Sequence, residues 1–374
     1  MAGLYLHIPF CKSRCIYCAF YSTTLIEMRE KYVDAICKEM KIRHDYVRDD
    51  DVIGTIYLGG GTPSLLSQQQ LEKIFHTIDT NFSHRNWSEM EITLECNPDD
   101  VTPEYAKAIE QLPVNRVSMG VQSFDDDRLR FLHRRHKAED IAKAIERLRE
   151  NGIGNISIDL MFGFPNQTPR EWLGDVKKAV ELCPEHISAY SLMVEEGTVL
   201  ERMIAKNIVE EADEDSCRKM YYGMIDTLIE AGYEHYEISN FAKPGYRSRH
   251  NSSYWDGTYY TGIGAGAHSY NGKTRQWNVA DIRKYIAGID ADNVVFEFEE
   301  IDERTRYNDL ITTALRTSDG IDIESLEESD KMYILEMAKT HIESGMLILK
   351  NNRLHLSREG LYVSNDILSD LIRL

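Results

Sequence analysis

A chain of 374 residues can build one large α/β domain plus a smaller one, and a content of 42% hydrophobic and 28% charged residues excludes disordered and fibrous classes. The formal net charge of -19 at pH 7 opposes the many phosphate contacts on which nucleic-acid binding rests, although a local basic pocket for a small anion is still allowed. No run reaches the roughly 20 apolar residues of a membrane span, and the N-terminus enters an alternating strand rather than a signal sequence, so a cytoplasmic location is expected.

In chain order, short β-branched or aromatic runs predict strands at Leu4 to Ile8, Thr55 to Leu58, Glu91 to Glu95, Arg116 to Met119, Asn155 to Leu160 and His186 to Ser191. Between them, amphipathic stretches predict helices at Glu27 to Arg43, Ser67 to Asp79, Pro103 to Gln111, Ala138 to Asn151 and Pro169 to Leu182, several opening on Ser, Thr or Pro. This alternation is the pattern of six βα units around a parallel sheet. A long helix is predicted from Asp213 to Ala231, and the Gly-, Tyr- and Ser-rich stretch from Tyr233 to Gly272 reads as a surface loop or binding segment. From Asp302 the pattern is helix-rich and ends in two short strands around Asn351-Asn352, which suggests a small winged-helix-like C-terminal domain. The acidic run Glu324 to Asp330 favours a structural or partner-docking role for it over DNA binding. The expected divisions are 1–232, 233–290 and 291–374.

Seven cysteines, with Cys37, Cys96, Cys183 and Cys217 scattered singly, argue against a disulfide framework and for a reducing compartment. The other three form CxxxCxxC in His7-Ile-Pro-Phe-Cys11-Lys-Ser-Arg-Cys15-Ile-Tyr-Cys18, directly after the first strand. A structural zinc site would want four ligands from Cys and His, and no second CxxC or paired His lies nearby to complete it. Three thiolates suffice for an iron-sulfur cubane whose remaining iron stays open. Gly59-Gly60-Gly61-Thr62-Pro63 then ends the second strand, where glycine permits a sharp turn and close backbone approach to a ligand. Glu95, Gln122, Asp159 and Tyr190 with Ser191 stand at or near the ends of later strands, so a βα barrel would gather them at one mouth. Each alone has a dull alternative: a helix cap or a surface ion pair for Glu95 and Asp159, and solvated helix positions for Arg134 and Arg135.

Together these motifs resemble the radical S-adenosylmethionine (SAM) superfamily. Gly120-Val-Gln122-Ser-Phe124 and Ile158-Asp159-Leu-Met-Phe-Gly163-Phe-Pro165 narrow the resemblance to the oxygen-independent coproporphyrinogen III oxidase family, over nearly the whole chain. The resemblance implies an α/β fold, a partial (β/α)6 TIM-like barrel with the small C-terminal domain. It implies that Cys11, Cys15 and Cys18 hold a 4Fe-4S cluster whose open iron binds SAM, and that reduction splits the sulfonium to methionine and a deoxyadenosyl radical. Tyr5, Gly60, Gly61 and Thr62 would line the methionine end, with Glu95, Gln122, Arg134 and Asp159 around the sulfonium and adenosine.

Two departures separate the branches of that family. Oxidases carry CxxxCxxCxC, whereas Phe20 stands here after Ala19, as in a branch of heme chaperones. Arg249-His250-Asn251-Ser-Ser-Tyr254-Trp255 matches that branch's HNxxYW motif, associated with heme: imidazole suits heme iron, and Tyr254 and Trp255 offer flat apolar surface. Alone, the motif reads as an aromatic loop with a hydrogen-bonded histidine. The resemblance thus implies a carrier that passes heme to heme-requiring proteins, including respiratory ones at the inner face of the membrane, with no nucleic-acid partner and with a homodimer left open. The enzymatic alternatives are propionate decarboxylation of coproporphyrinogen III or another radical reaction on a tetrapyrrole.

Overall fold

Strand β1 (Ala2–Ile8) begins a parallel series continued by β2 (Ile53–Gly60), β3 (Glu91–Cys96), β4 (Arg116–Gln122), β5 (Asn155–Phe162) and β6 (His186–Ser191), each paired with the next. The computed structural model describes residues 1–46, 52–83 and 86–374. Five helices, Arg29–Ile42, Gln68–Asn81, Pro103–Glu110, Ala138–Glu150 and Pro169–Glu181, carry the crossovers within two residues of the ends read from the sequence. Their starts are set by local chemistry: Ser67 and Thr168 form capping boxes with Gln70 and Glu171, and Thr102 caps the helix that Pro103 opens.

The stretch from Tyr233 to Gly272 is not a loop. It contains β7 (Glu234–Glu237), β8 (Asn240–Ala242), the helix Arg249–Trp255, β9 (Tyr260–Ile263) and β10 (His268–Tyr270). Strands β8 and β7 extend the sheet beyond β6, while β9 pairs parallel with β1 and leads through β10 to β11 (Thr274–Asn278) and β12 (Phe296–Glu300). Among the described residues the sheet therefore has twelve strands, six of them added at its two ends. Strands this short, punctuated by positive-φ glycines at 257, 264, 266 and 272, give too few alternations to register in the sequence.

The C-terminal domain has its own core, built from Tyr307, Ile311, Ile334, Leu354 and Leu368 among others. Its hairpin, β14 (Leu347–Lys350) and β15 (Arg353–Leu356), turns on Asn351 and Asn352 at φ 51° and 60°, and β13 (Ile321–Asp322) completes a three-stranded sheet. No described helix is long and apolar enough to cross a membrane.

The outer faces of β1 to β6 bury Leu4, Leu6, Ile56, Leu58, Ile92, Leu94, Val117, Met119, Ile158 and Ile187 under the helices. Their inner faces are polar, with Tyr5, Tyr57, Thr93, Glu95, Arg116, Ser118, Ser157, Asp159 and His186 alternating against that apolar set. This division separates a polar barrel interior from the apolar layer beneath the helices.

Candidate functional site

At the C-terminal end of the strands, the cysteine loop is tied down from several sides. Cys11 N–H donates to Thr23 O at 2.9 Å, Ile16 N–H to Leu132 O at 3.4 Å, and Leu200 N–H to Ile16 O at 3.0 Å. Ile16 is buried with Leu132, Phe164 and Leu200, so apolar packing holds a loop whose three thiols remain partly accessible. Thr62 Oγ1 donates to Cys11 Sγ and Arg134 Nη1 to Cys15 Sγ, both at 3.7 Å. Burial raises the Cys11 thiol and pushes Cys18 up to about 11, so a metal must displace protons on binding. Among the described residues no three His, Cys, Asp or Glu side chains converge tightly enough for a single metal ion. A cubane makes no such demand, because its thiolates bind different irons, and donors aimed at two sulfurs suit it. Phe20, two residues beyond Cys18, is 70% exposed.

The glycine loop closes against the same region. Gly60 has φ +108°, and its N–H donates to Glu95 Oε2 at 3.0 Å; Gly61 N–H donates to Ile8 O at 2.9 Å. Tyr57 Oη donates to Glu95 Oε1 at 2.8 Å. Burial raises the Glu95 carboxyl to about 7, with Tyr57's hydrogen bond opposing and Asp159's charge adding. Asp159 is raised by burial too, although Ser118 Oγ lies 3.4 Å from it. Arg134 donates through Nη2 to Asn97 Oδ1 at 2.6 Å and to the Gly120 carbonyl, and a Cβ at Gly120 would lie 3.1 Å from Gln122 Nε2. Gln122 itself takes φ +67°. Gly60, Gly61, Thr62, Glu95, Gln122, Arg134 and Asp159 therefore gather at the cysteine end. Tyr5 sits deeper, its Oη 3.0 Å from His7 Nδ1 and its ring 6.4 Å from that of His250.

His250 lies at the opposite end of the strands. Its helix is pinned by Glu91 at the start of β3, which accepts from Ser248 Oγ and from the backbone N–H of Arg249 and His250 at 3.3, 2.8 and 2.8 Å. The imidazole is 1% exposed, bonded by Nδ1 to Thr55 Oγ1 at 2.8 Å and by Nε2 to Tyr254 Oη at 3.0 Å, and stacked 5.1 Å from Tyr57. Burial holds it down to about 3, with Arg116's charge adding, so it is neutral. Tyr254 and Trp255, but not His250, line a cavity of about 1090 Å³ shared with Tyr260, Tyr270 and, from the C-terminal domain, Arg306 and Tyr307. Asn251 contributes its N–H to Ser248 Oγ at 3.3 Å. From Gly3, beside the His250 ring, to Ile8 the strand rises about 17 Å, which separates the two ends.

Four inner residues had no role in the sequence reading: His7, Tyr57, Asn97 and Arg116. The alternation was the available signal, because Tyr57 lies two positions before Gly59 and Arg116 two before Ser118. Arg116 is 1% exposed, and its Nε and Nη1 meet no hydrogen-bond partner among the described residues.

The chain matches the family model described as Radical SAM superfamily over residues 5–179 and the HemN C-terminal domain over 301–363. Heme chaperone HemW of Bacillus subtilis (strain 168) is 34% identical, covering 98% of both chains. Heme chaperone HemW of Lactococcus lactis subsp. lactis (strain IL1403) is 32% identical over 97% of this chain and 95% of its own. The solved structure of coproporphyrinogen III oxidase (HemN) from Escherichia coli superposes with a TM-score of 0.85 over 99% of this chain and 90% of that one. At 20% identity that likeness is one of fold.

Proposed function

Because the chain belongs to the HemW family of the radical SAM superfamily, we propose that it is a heme chaperone, binding heme at the floor of the barrel and passing it to heme-requiring proteins, those at the membrane included. The observation that carries this reading is the 1090 Å³ cavity, walled by Tyr254 and Trp255 of the HNxxYW helix on one side and by the C-terminal domain on the other. Aromatic faces and a guanidinium suit a flat, apolar ligand with carboxylate arms. His250 and Asn251 support that wall from behind. The units 1–232, 233–290 and 291–374 then have separate duties: cofactor binding, the heme-facing wall, and a cover with its own core.

Superfamily membership implies a 4Fe-4S cluster and SAM. We assign the cluster to Cys11, Cys15 and Cys18, and SAM to Tyr5, Gly60, Gly61, Thr62, Glu95, Gln122, Arg134 and Asp159. The half-neutral Glu95 and buried Asp159 offer acceptors for ribose hydroxyls or a sulfonium, and Arg134 offers a donor. When bound, the pair supplies one-electron cleavage chemistry; these side chains orient it and exclude water.

Titration of the protein with hemin is expected to give a saturable Soret shift, followed by transfer to an apo-acceptor. Absence of saturable binding refutes the reading, as does conversion of coproporphyrinogen III to protoporphyrinogen IX by reconstituted protein with reductant and SAM. Cys15→Ala is expected to remove the cluster's thiolate-to-iron absorbance.

A further inference from the structure

Resting on the heme reading above, we propose that Tyr254 is the side chain that bonds to heme iron, with His250 as the hydrogen-bonded base behind it. Imidazole is the obvious iron ligand of the motif, but the geometry turns it away from the cavity. His250 is 1% exposed, and both ring nitrogens are engaged, Nδ1 with Thr55 Oγ1 and Nε2 with Tyr254 Oη. Its ring lies between β1 and β2: a Cβ on Gly3 would sit 3.3 Å from its Cε1, and Tyr57 stacks against it at 5.1 Å. The three bonds from Ser248 and the Arg249 and His250 amides to Glu91 hold the helix, and the imidazole swings outward only by breaking its bonds to Thr55 and Tyr254 and leaving its stack on Tyr57.

Tyr254 has the complementary position. It lines the cavity, its ring packs edge-on against His250 and Tyr260, and its hydroxyl points at a neutral imidazole nitrogen 3.0 Å away. Tyrosine is an established axial ligand class for heme iron, and a hydrogen-bonded base behind a ligand orients it and tunes its basicity. On binding ferric heme, the Oη–H bond breaks and an Oη–iron bond forms. The proton leaves to solvent in the cavity, with no change of oxidation state. His250 stays neutral and presents Nε2–H to the phenolate oxygen, while Nδ1 accepts from Thr55 Oγ1–H. A phenolate is a hard oxygen donor that favours ferric over ferrous iron, so reduction would loosen the cargo.

The test uses the full chain and hemin. Wild type is expected to show a phenolate-to-iron charge-transfer band and an iron–phenolate stretch in resonance Raman, both lost on reduction. Tyr254→Phe keeps the ring packing and is expected to lose both signals. His250→Gln is expected to keep the phenolate signature while ferric-heme affinity falls by about 10- to 100-fold, the usual cost of removing a ligand's supporting partner. The proposal is overturned if Tyr254→Phe retains the wild-type spectrum while His250→Gln loses it. If wild type binds no hemin saturably, the chaperone reading falls first and takes the ligand assignment with it.

Discussion

Replacing Gly60 by alanine tests the architecture of the glycine loop. Gly60 has φ +108°, where an L side chain is strained by roughly 1–2 kcal/mol. A Cβ there would also run into the His7 imidazole, with Nε2 at 2.9 Å and other ring atoms closer still. The ring cannot yield freely, because Nε2 is bonded to Tyr21 O at 2.8 Å and Nδ1 to Tyr5 Oη at 3.0 Å; losing one such buried bond costs about 1–3 kcal/mol. The expected destabilisation is about 3 kcal/mol, which for an unfolding entropy of about 2.1 cal/mol/K per residue lowers the melting temperature by about 4 °C. Gly152→Ala is the control: φ is +81° but no atom of the described residues lies within 4 Å, so only the backbone strain remains and the expected shift is about 1–2 °C. Calorimetry of the two variants without SAM, followed by SAM titration, separates the effects. Equal melting shifts would refute the argument that His7 is the obstacle.

Acid should weaken the fold through His7, His136, His186 and His250, all buried and all lowered by that burial, to about 4, about 3, well below the ordinary value and about 3. Each is neutral when folded, so stability is lost as pH falls below 6.5, by about 2 kcal/mol per histidine at pH 5. Glu95 and Glu237, raised to about 7 chiefly by burial, act oppositely over pH 7 to 4.5, so the histidines outweigh them only below a maximum near pH 7, and urea titrations should show stability falling from there toward pH 5; a monotonic gain toward pH 5 would refute this. Tyr57→Phe removes the hydrogen bond that lowers Glu95, so the pH midpoint of SAM affinity should move upward, and an unchanged midpoint would exclude Glu95 from SAM binding. Arg134→Met removes a cationic donor from Cys15 Sγ, so a redox titration of the reconstituted cluster followed by electron paramagnetic resonance should give a more negative potential than wild type.

The six parallel strands and their helices were legible because each carries a repeated physical signal: a β-branched run, a cap, then an amphipathic period. The cysteine and glycine loops were legible because their spacing is dense and local. The barrel's extensions were not, since β8 and β10 have three residues each and find their partners only through tertiary contact. The placement of His250 was likewise hidden. Its motif names a histidine, a tyrosine and a tryptophan, but which one faces a cavity depends on Glu91, far away in sequence, pinning the helix against β3.

The two ends of the barrel are joined by contacts as well as by strands. His250 stacks on Tyr57, Tyr57 donates to Glu95, and Glu95 accepts from the Gly60 amide of the glycine loop. Spatial continuity of this kind does not by itself transmit anything; it requires an element with two arrangements that both ends bias. Glu95 supplies one, because a carboxyl near pKa 7 is divided between charged and neutral forms at neutral pH, and only the charged form needs both of its donors. A ligand that favours ionised Glu95 at the cysteine end would strengthen the Tyr57 bond and so stiffen the ring against which His250 is stacked. By reciprocity, a ligand at the floor whose affinity depends on the charge of Glu95 would change affinity at the glycine loop by the same factor.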